Sequence, residues 1–473
     1  MKVCMIFEGS YPYIHGGVSS WAHNLIRDLK DVEFVLWCIG AKEEDRGNFK
    51  YELPENVSGV HEVFLDTALH LKYTRRYREN AFTEEQRTEL SHLFVCEKVN
   101  WDVLFALFQK QHINPADLMV SDIFTELLMR DCKTHYPNVS FSDYYYTVRS
   151  IVLPILFLIG QKVPDADIYH SVSTGYAGAL GSLAAWKTGK PFLVTEHGIY
   201  TREREEDLLR ATWLVPRFRS LWIDFFYTLS DCAYSHAKKI TSLFQGASRI
   251  QHEIGAEKDR QVVIPNGIHE ERFVDIPLKE EDENEISIGA VVRVARIKDL
   301  KTMIYAFIEA EQILEVAKLY ILGDTDDEEY KEECERVIRQ LGFEDRIVFT
   351  GMVDVREYLE RFDFTLLTSI SEGQPLSILE SLAAGRPCIA TDVGCCRELL
   401  LADDGHGTAG MIVPPMNASL LANAIVLMGG DPYLRQHMAK SGRARVLEHY
   451  TNHGMVSRYR SIYEEAWQES GLN

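Results

Sequence analysis

Short β-branched and apolar runs alternate with helical periodicity along almost the whole chain, the pattern of parallel sheets joined by crossover helices. In the first half the predicted strands are Lys2–Phe7, Glu33–Ile39, Asp167–Ser171, Phe192–Glu196, Ile240–Leu243 and Val262–Pro265. In the second half they are Ser287–Val292, Lys318–Leu322, Ile347–Phe349, Phe362–Thr368 and Pro387–Thr391. Between the sets runs Lys279-Glu-Glu-Asp-Glu-Asn-Glu285, shortly after Pro265 and Pro277. Such a polar run does not form core, so it reads as an exposed connection between domains, with a surface loop inside one domain as the alternative. Two segments break the alternation. Residues 68–150 read as mainly helical, an insertion with a basic cluster (Arg75, Arg76, Arg78) and an apolar stretch (Val103–Phe108) that either packs on the domain or meets a partner. Residues 454–468 carry Met455, Val456, Tyr459, Ile462, Tyr463 and Trp467 at helical spacing.

Length and composition narrow the reading. With 473 residues, 46% hydrophobic and 26% charged, the chain suits two large soluble domains. The expected division is 1–277, 278–453 and a last helical piece at 454–473. Fifty Lys+Arg against seventy-one Asp+Glu give a formal charge of −21. That deficit speaks against nucleic acid and against docking on anionic lipid, both of which need clustered basic charge. It leaves room for one small cationic pocket. Nine cysteines without a Cys-x-x-Cys predict a reduced, cytoplasmic chain without a zinc site. The apolar run at the start is too short for a signal peptide, and Ile151–Gly160, interrupted by Pro154, falls short of the roughly twenty residues of a membrane span. Contact with the inner membrane is expected only through partners.

Four segments carry chemistry. The strongest is Ser371 to Gly385, in which a loop leads from an apolar strand into a helix beginning at Pro375 and stopping at Gly385-Arg386-Pro387. The free N–H groups of its first turn, with Gly373, form a local anion site. Glu380 is the one charge between Glu372 and Arg386 and shares a face with Leu376 and Ala383, where a carboxylate is costly unless something binds it. Arg293 and Lys298 lie on another strand-to-helix loop, at the carboxyl edge where open α/β sheets take ligands. Two cations there suit a diphosphate. Gly16 and Gly17 precede a helix and allow positive φ or close backbone approach, although the spacing is not that of a dinucleotide fingerprint. His197 ends the strand Phe192–Glu196, where a cleft residue or an ordinary bonded histidine are both in keeping.

Together, HGGVSSW (15–21), TEHGIYTRERE (195–205), VIPNGI (263–268), RVARIKDLKT (293–302), LGDTDDEEY (322–330) and SEGQPLSILESLAAG (371–385) resemble the retaining glycosyltransferases of family 4, in particular the PelF-type enzymes of Pel exopolysaccharide synthesis. The resemblance runs over nearly the whole chain. It implies an α/β protein of GT-B fold, two Rossmann-like parallel-sheet domains facing across a cleft, with the last helix crossing back to the first domain. It also implies a hexosyltransferase that uses a nucleotide sugar, a UDP-sugar such as UDP-glucose, to extend a biofilm polysaccharide, with no cofactor and no metal. In that reading Glu372 and His197 meet the transferred sugar, and Gly16 and Gly17 approach the donor phosphate or the acceptor. Arg293 and Lys298 hold the diphosphate, Gly373, Gln374 and Leu376 offer backbone N–H groups with Pro375 in the same donor-binding turn, and Glu380 binds ribose hydroxyls. Gln374 stands where many family 4 members carry a bulkier apolar residue, and marks the PelF-type subgroup. The implied partners are the donor, a polysaccharide acceptor and inner-membrane synthase or export proteins. Two other readings share the motifs: a non-catalytic nucleotide-binding subunit of a synthase complex, and a nucleotide-sugar epimerase of the same fold.

Overall fold

The structure, a computed structural model, describes residues 1–74, 82–279, 285–469 and 471. The arginine cluster at 75–78 and the centre of the charged connection, 280–284, lie outside the described residues. The chain divides into two units: Met1–Ser242 with Ala247–Val263 and Tyr459–Asn473, and Leu243–Gly246 with Ile264–Arg458.

The first unit is built on seven parallel strands: β1 (Lys2–Glu8), β2 (Glu33–Gly40), β3 (Val57–Phe64), β4 (Ile168–Ser171), β5 (Phe192–Glu196), β6 (Lys239–Ser242) and β7 (Gln261–Val263). They lie in the order β3-β2-β1-β4-β5-β6-β7. Six match the expected strands to within two residues. The seventh, β3, escapes the pattern because it is a half-exposed edge strand with Gly59 inside it. The second unit holds β8 (Ile286–Val291), β9 (Ala317–Leu322), β10 (Ile347–Gly351), β11 (Phe364–Leu367), β12 (Cys388–Thr391) and β13 (Gly410–Val413), in the order β10-β9-β8-β11-β12-β13. Here the four-residue edge strand β13 is the unexpected one. Every strand pair in both sheets is parallel, so crossover helices cover the faces and the strands read as near-continuous apolar runs.

Both sheets reverse their strand order once. In the first, β1 separates the chain running out through β2 and β3 from the chain running out through β4 to β7. In the second, β8 and β11 flank the reversal. At such points successive loops at the strands' carboxyl ends diverge and leave a crevice, the habitual ligand position in open α/β sheets. The loops concerned follow β1 and β4 in one unit, and β8 and β11 in the other.

The insertion is helical, with helices at Glu84–Val95, Trp101–Lys110, Pro115–Met119, Asp122–His135 and Phe141–Ile159. Its apolar stretch is packed rather than presented: Leu104, Phe105, Leu107 and Phe108 are buried in the first unit's core. The two units have separate cores. Ile268, Phe273 and Ile276 belong to the second, so the division at Val263/Ile264 falls earlier than the 277/278 boundary suggested by the charged segment. All nine cysteines are buried and unpaired. Among the described residues no helix is long and apolar enough to cross a membrane.

The last helix, Asn452–Glu469, enters the first unit from Tyr459 onward. Tyr459 and Tyr463 are fully buried there, against the centre of the first sheet. The Tyr463 hydroxyl lies 2.6 Å from His170 Nδ1, and His170 Nε2 lies 2.7 Å from Thr195 Oγ1. Thr195 continues to Thr241 at 2.6 Å, and the Tyr459 hydroxyl lies 3.3 Å from Thr195. β4, β5 and β6 thus each give one polar side chain to a buried network that two tyrosines complete. Burial lowers His170 to about 3, so the ring is neutral and the network carries no charge.

Candidate active site

In the second unit the site-bearing loops are those after β8 and β11. Thr368, at the end of β11, donates its hydroxyl to the Lys298 carbonyl at 2.8 Å, and the Ile370 N–H bonds the Ile297 carbonyl at 2.8 Å. These bonds lash the two loops together at the order reversal. Lys298 Nζ then reaches the Glu372 carboxylate, and the same Glu372 oxygen accepts from Ser369 Oγ at 2.5 Å. Both side chains of the pair are largely shielded, at 17% and 12% exposure. Behind them Gly394, at φ +53, passes so close that a Cβ would lie 2.3 Å from the Glu372 carbonyl, and the Cys395 N–H bonds the Gly373 carbonyl at 3.0 Å. Glycine is required at 394 on both counts.

Arg293 sits on the same loop but turns to Asp326 at 2.5 Å, in a solvent-exposed pair. The Asp326-Asp327 doublet is occupied: Asp327 pairs with Arg296 at 3.1 Å and caps the helix Glu328–Leu341 by accepting from the Tyr330 N–H at 2.9 Å. Asp404, from the other doublet, is clamped by the buried guanidinium of Arg445, although with His406 and His449 it presents ligand atoms within 4.8 Å of one another.

The helix after the loop spans Leu376–Ala383, with Pro375 just before it and Gly385 at φ +69 just beyond it. Pro375 therefore precedes the helix rather than opening it; in the first turn the Ile378 N–H bonds the Pro375 carbonyl at 3.2 Å, while the Leu376 and Ser377 N–H groups have no carbonyl partner inside the helix. Gln374 behaves differently from its expected role. Its carboxamide accepts from the Asn266 N–H at 2.7 Å and donates to the Asn266 carbonyl at 3.3 Å. The side chain pins the VIPNGI turn to the loop, which leaves only its backbone for a donor. Burial raises Glu380 to about 7, with Arg272 pulling in the other direction. Its carboxylate makes no hydrogen bond among the described residues.

In the first unit Gly16 is extended at φ 175, and Gly17 opens the helix Gly17–Asp28. Neither adopts positive φ, and a Cβ on either would meet nothing within 4 Å. Their backbone borders open space instead of serving a tight turn. Trp21, from the same helix, packs edge-on against His197 with ring centroids 4.4 Å apart. His197 Nε2 is buried without a partner, and burial lowers the ring to about 4, leaving it neutral.

The residue before it was missed by sequence reasoning. Glu196 is buried at 2% exposure and collects Tyr234 Oη at 2.5 Å, Gln251 Nε2 at 2.9 Å, the Tyr200 N–H at 3.2 Å and Thr174 Oγ1 at 3.3 Å. Burial pushes its carboxyl upward against those bonds. It fixes the turn that carries His197 into the helix Tyr200–Arg210. Glu8, at the end of β1, is a second such carboxylate: it accepts from Tyr200 Oη at 2.9 Å and from the Ala177 N–H at 3.3 Å, and burial raises it too. The available signal was a charged residue directly ending an apolar strand.

Comparison with known proteins agrees with this architecture. Residues 1–259 match the family described as a domain of unknown function (DUF3492), and residues 285–431 match glycosyl transferases group 1. The first match covers more than half of the chain, which belongs to that family, and the second unit carries a group 1 glycosyltransferase domain. N-acetyl-alpha-D-glucosaminyl L-malate synthase of Bacillus anthracis is 31% identical over 191 residues, 40% of this chain and 47% of that protein. The match therefore spans about half of that relative. Sucrose-phosphate synthase from Thermosynechococcus elongatus superposes with a TM-score of 0.61 at 15% identity, covering 99% of both chains. Anabaena Alr3699/HepE in complex with UDP gives 0.60 at 14% identity, covering 98% of this chain and 100% of that one. The fold is GT-B, with two Rossmann-like parallel-sheet domains.

Proposed function

We propose that this chain is a retaining, metal-independent hexosyltransferase that takes a hexose from a UDP-sugar such as UDP-glucose and adds it to a growing exopolysaccharide of the Pel type. The observation that carries the reading is the shielded Lys298–Glu372 pair at the β8–β11 reversal, beside a helix start without a side-chain cap whose Leu376 and Ser377 N–H groups have no partner inside the helix. A cation and free N–H groups at one crevice are suited to the charge that gathers on a departing nucleoside diphosphate. Arg293 adds a second cation after leaving its exposed partner Asp326, a pair of the kind that contributes little by itself. Glu380, desolvated and without a hydrogen bond, is assigned to the ribose hydroxyls. Glu372 lies beside the transferred sugar and orients it, and when the diphosphate draws Lys298 away, its carboxylate is freed to support the positive charge that develops at the anomeric carbon. His197, neutral, serves a sugar hydroxyl.

The UDP held by Alr3699/HepE supports the choice of nucleotide. The protein works in the cytoplasm and reaches the inner membrane through synthase or export partners. The test is a panel of nucleotide sugars scored for nucleoside diphosphate release, with Glu372→Gln as control. Release from one donor, lost in the variant, is the expected result. UDP binding without release from any donor would make the chain a nucleotide-binding subunit, and conversion of a UDP-sugar without acceptor would make it an epimerase.

A further inference from the structure

Outside the candidate active site, the loop before β13 meets the end of the helix Pro432–His449, and metal-ligating side chains converge there. Asp404 and His406 come from the loop and His449 from the last helical turn, with one ligand atom of each within 4.8 Å of the others. Among the described residues no other three His, Cys, Asp or Glu side chains come so close. Glu448 adds a fourth group: its carboxylate lies 2.9 Å from His406 Nε2 and 3.8 Å from His449 Nε2.

One buried guanidinium organises the loop. Arg445, with no exposure, donates to the carbonyls of Leu399 at 2.9 Å, Ala402 at 3.0 Å and Gly407 at 2.5 Å. It also forks onto Asp404 at 2.5 and 2.8 Å, and the His406 N–H bonds Asp404 Oδ1 at 3.1 Å. The backbone on both sides of Asp404 and His406 is therefore fixed without any ion, which is the support that outer partners give to metal ligands.

We propose that His406, His449, Glu448 and Asp404 form a binding site for a divalent first-row transition metal ion of the Zn²⁺ type. The proposal is independent of the transferase reading. Two imidazoles with two carboxylates suit such an ion better than Mg²⁺ or Ca²⁺, which take all-oxygen shells. Tetrahedral bonds of about 2.0–2.2 Å set ligand atoms about 3.3–3.6 Å apart. Closing from 4.8 Å asks for side-chain shifts on the order of 1 Å, with the backbone left in place. Asp404 Oδ2 accepts a single bond and keeps a lone pair for the ion, and Arg445 holds this carboxyl far below the usual range, so it is ionised. Asp404 neutralises Arg445, while Glu448 has the two imidazoles as its ion-pair partners. The helix's last carbonyls add negative potential at the same point. An ion bound there would tie the loop to a helix end more than forty residues further along the chain.

The test uses full-length protein stripped of metal by a chelator and titrated with Zn²⁺ by calorimetry, with Co²⁺ as a coloured probe. One equivalent is expected to bind, and the Co²⁺ form is expected to show the visible absorption of a tetrahedral nitrogen–oxygen site. The melting temperature should rise with Zn²⁺, because the ion binds the folded chain and finds no preformed site in the unfolded one. His406→Ala and His449→Ala are each expected to weaken Zn²⁺ binding by about tenfold or more and to remove the thermal gain. Glu448→Gln acts in the same direction, and its side chain is 61% exposed, so the variant keeps a readout should a histidine variant fail to fold. His135→Ala, at an exposed histidine in another helix, should change nothing. Wild-type protein that takes up no Zn²⁺ at millimolar concentration would overturn the proposal. Folded His406→Ala, His449→Ala and Glu448→Gln proteins with wild-type affinity would do the same. Uptake at several weak sites that His135→Ala reduces equally would mean an adventitious ion only, and would also overturn it.

Discussion

The two sheet reversals handle charge in opposite ways. In the first unit burial works against charge: it pushes the Glu8 and Glu196 carboxyls upward and lowers His170 and His197 to about 3 and 4. In the second unit the charged groups on the β8 and β11 loops each have a partner of opposite sign: Lys298 with Glu372, Arg293 with Asp326, Arg296 with Asp327. Burial without a counter-charge disfavours the charged form, whereas a nearby opposite charge favours it. One crevice is lined mainly by buried polar groups and the other by ion pairs, although both come from the same strand-order device.

The sharpest way to break that contrast is Lys298→Ala. Removing the shielded cation is expected to lower kcat by about a hundredfold or more, as loss of one charge-stabilising donor does, while Arg293→Ala, which starts from an exposed pair, is expected to raise donor KM by about tenfold or less. Steady-state kinetics of both variants settle the matter, and equal losses would mean that shielding is not what distinguishes the two cations. In the first unit, Tyr463→Phe removes a buried partner of His170 and is expected to lower stability by about 1–3 kcal/mol by denaturant unfolding.

Glu380 sharpens the comparison from the other side, as the one desolvated carboxylate of the second site. With the group at about 7, donor KM is expected to rise as pH falls through that value, because the neutral acid is a weaker acceptor for ribose hydroxyls. Glu380→Gln flattens this profile. The folded protein also holds a proton that the unfolded chain releases between about 4 and 7. The Gln variant is accordingly expected to gain stability relative to wild type as pH rises through that interval. Activity loss with stability gain would mark a binding group; loss of both would not. The smallest expected effect is that of a chelator, which should change the transfer rate by less than about twofold where cations of the chain bear the diphosphate.

Much of this architecture is legible in the sequence because parallel strands buried on both faces are apolar throughout. β3 and β13 escaped because edge strands bury less: β3 is half-exposed and β13 has four residues. At the site, residues defined by charge on a loop were readable, since Arg293, Lys298 and Glu372 stand out in an acidic chain. Residues defined by their partners were not. The Gln374 carboxamide looks free until Asn266, more than a hundred positions earlier, is seen to hold it. His170, Thr195 and Glu196 look like ordinary strand residues until Tyr463, Tyr459 and Tyr234 arrive from distant helices. Gly16-Gly17 suggested positive φ or a close backbone approach; neither residue adopts positive φ, and open room lies beside both.

The helix that begins at Asn452 sets the order in which this protein can be finished. The seven strands of the first unit are all synthesised once residue 263 is made, yet the tyrosines that close their central network come after the entire second unit. At ordinary translation speeds of 5–20 residues per second, that wait is about 10–40 seconds. For that time the nascent first unit carries a groove at β4–β6 where Tyr459 and Tyr463 belong. A fragment ending near Val263 would keep the groove open permanently, so it should be stickier and less stable than its share of the core suggests. Supplying residues 452–469 as a separate peptide should restore much of the difference.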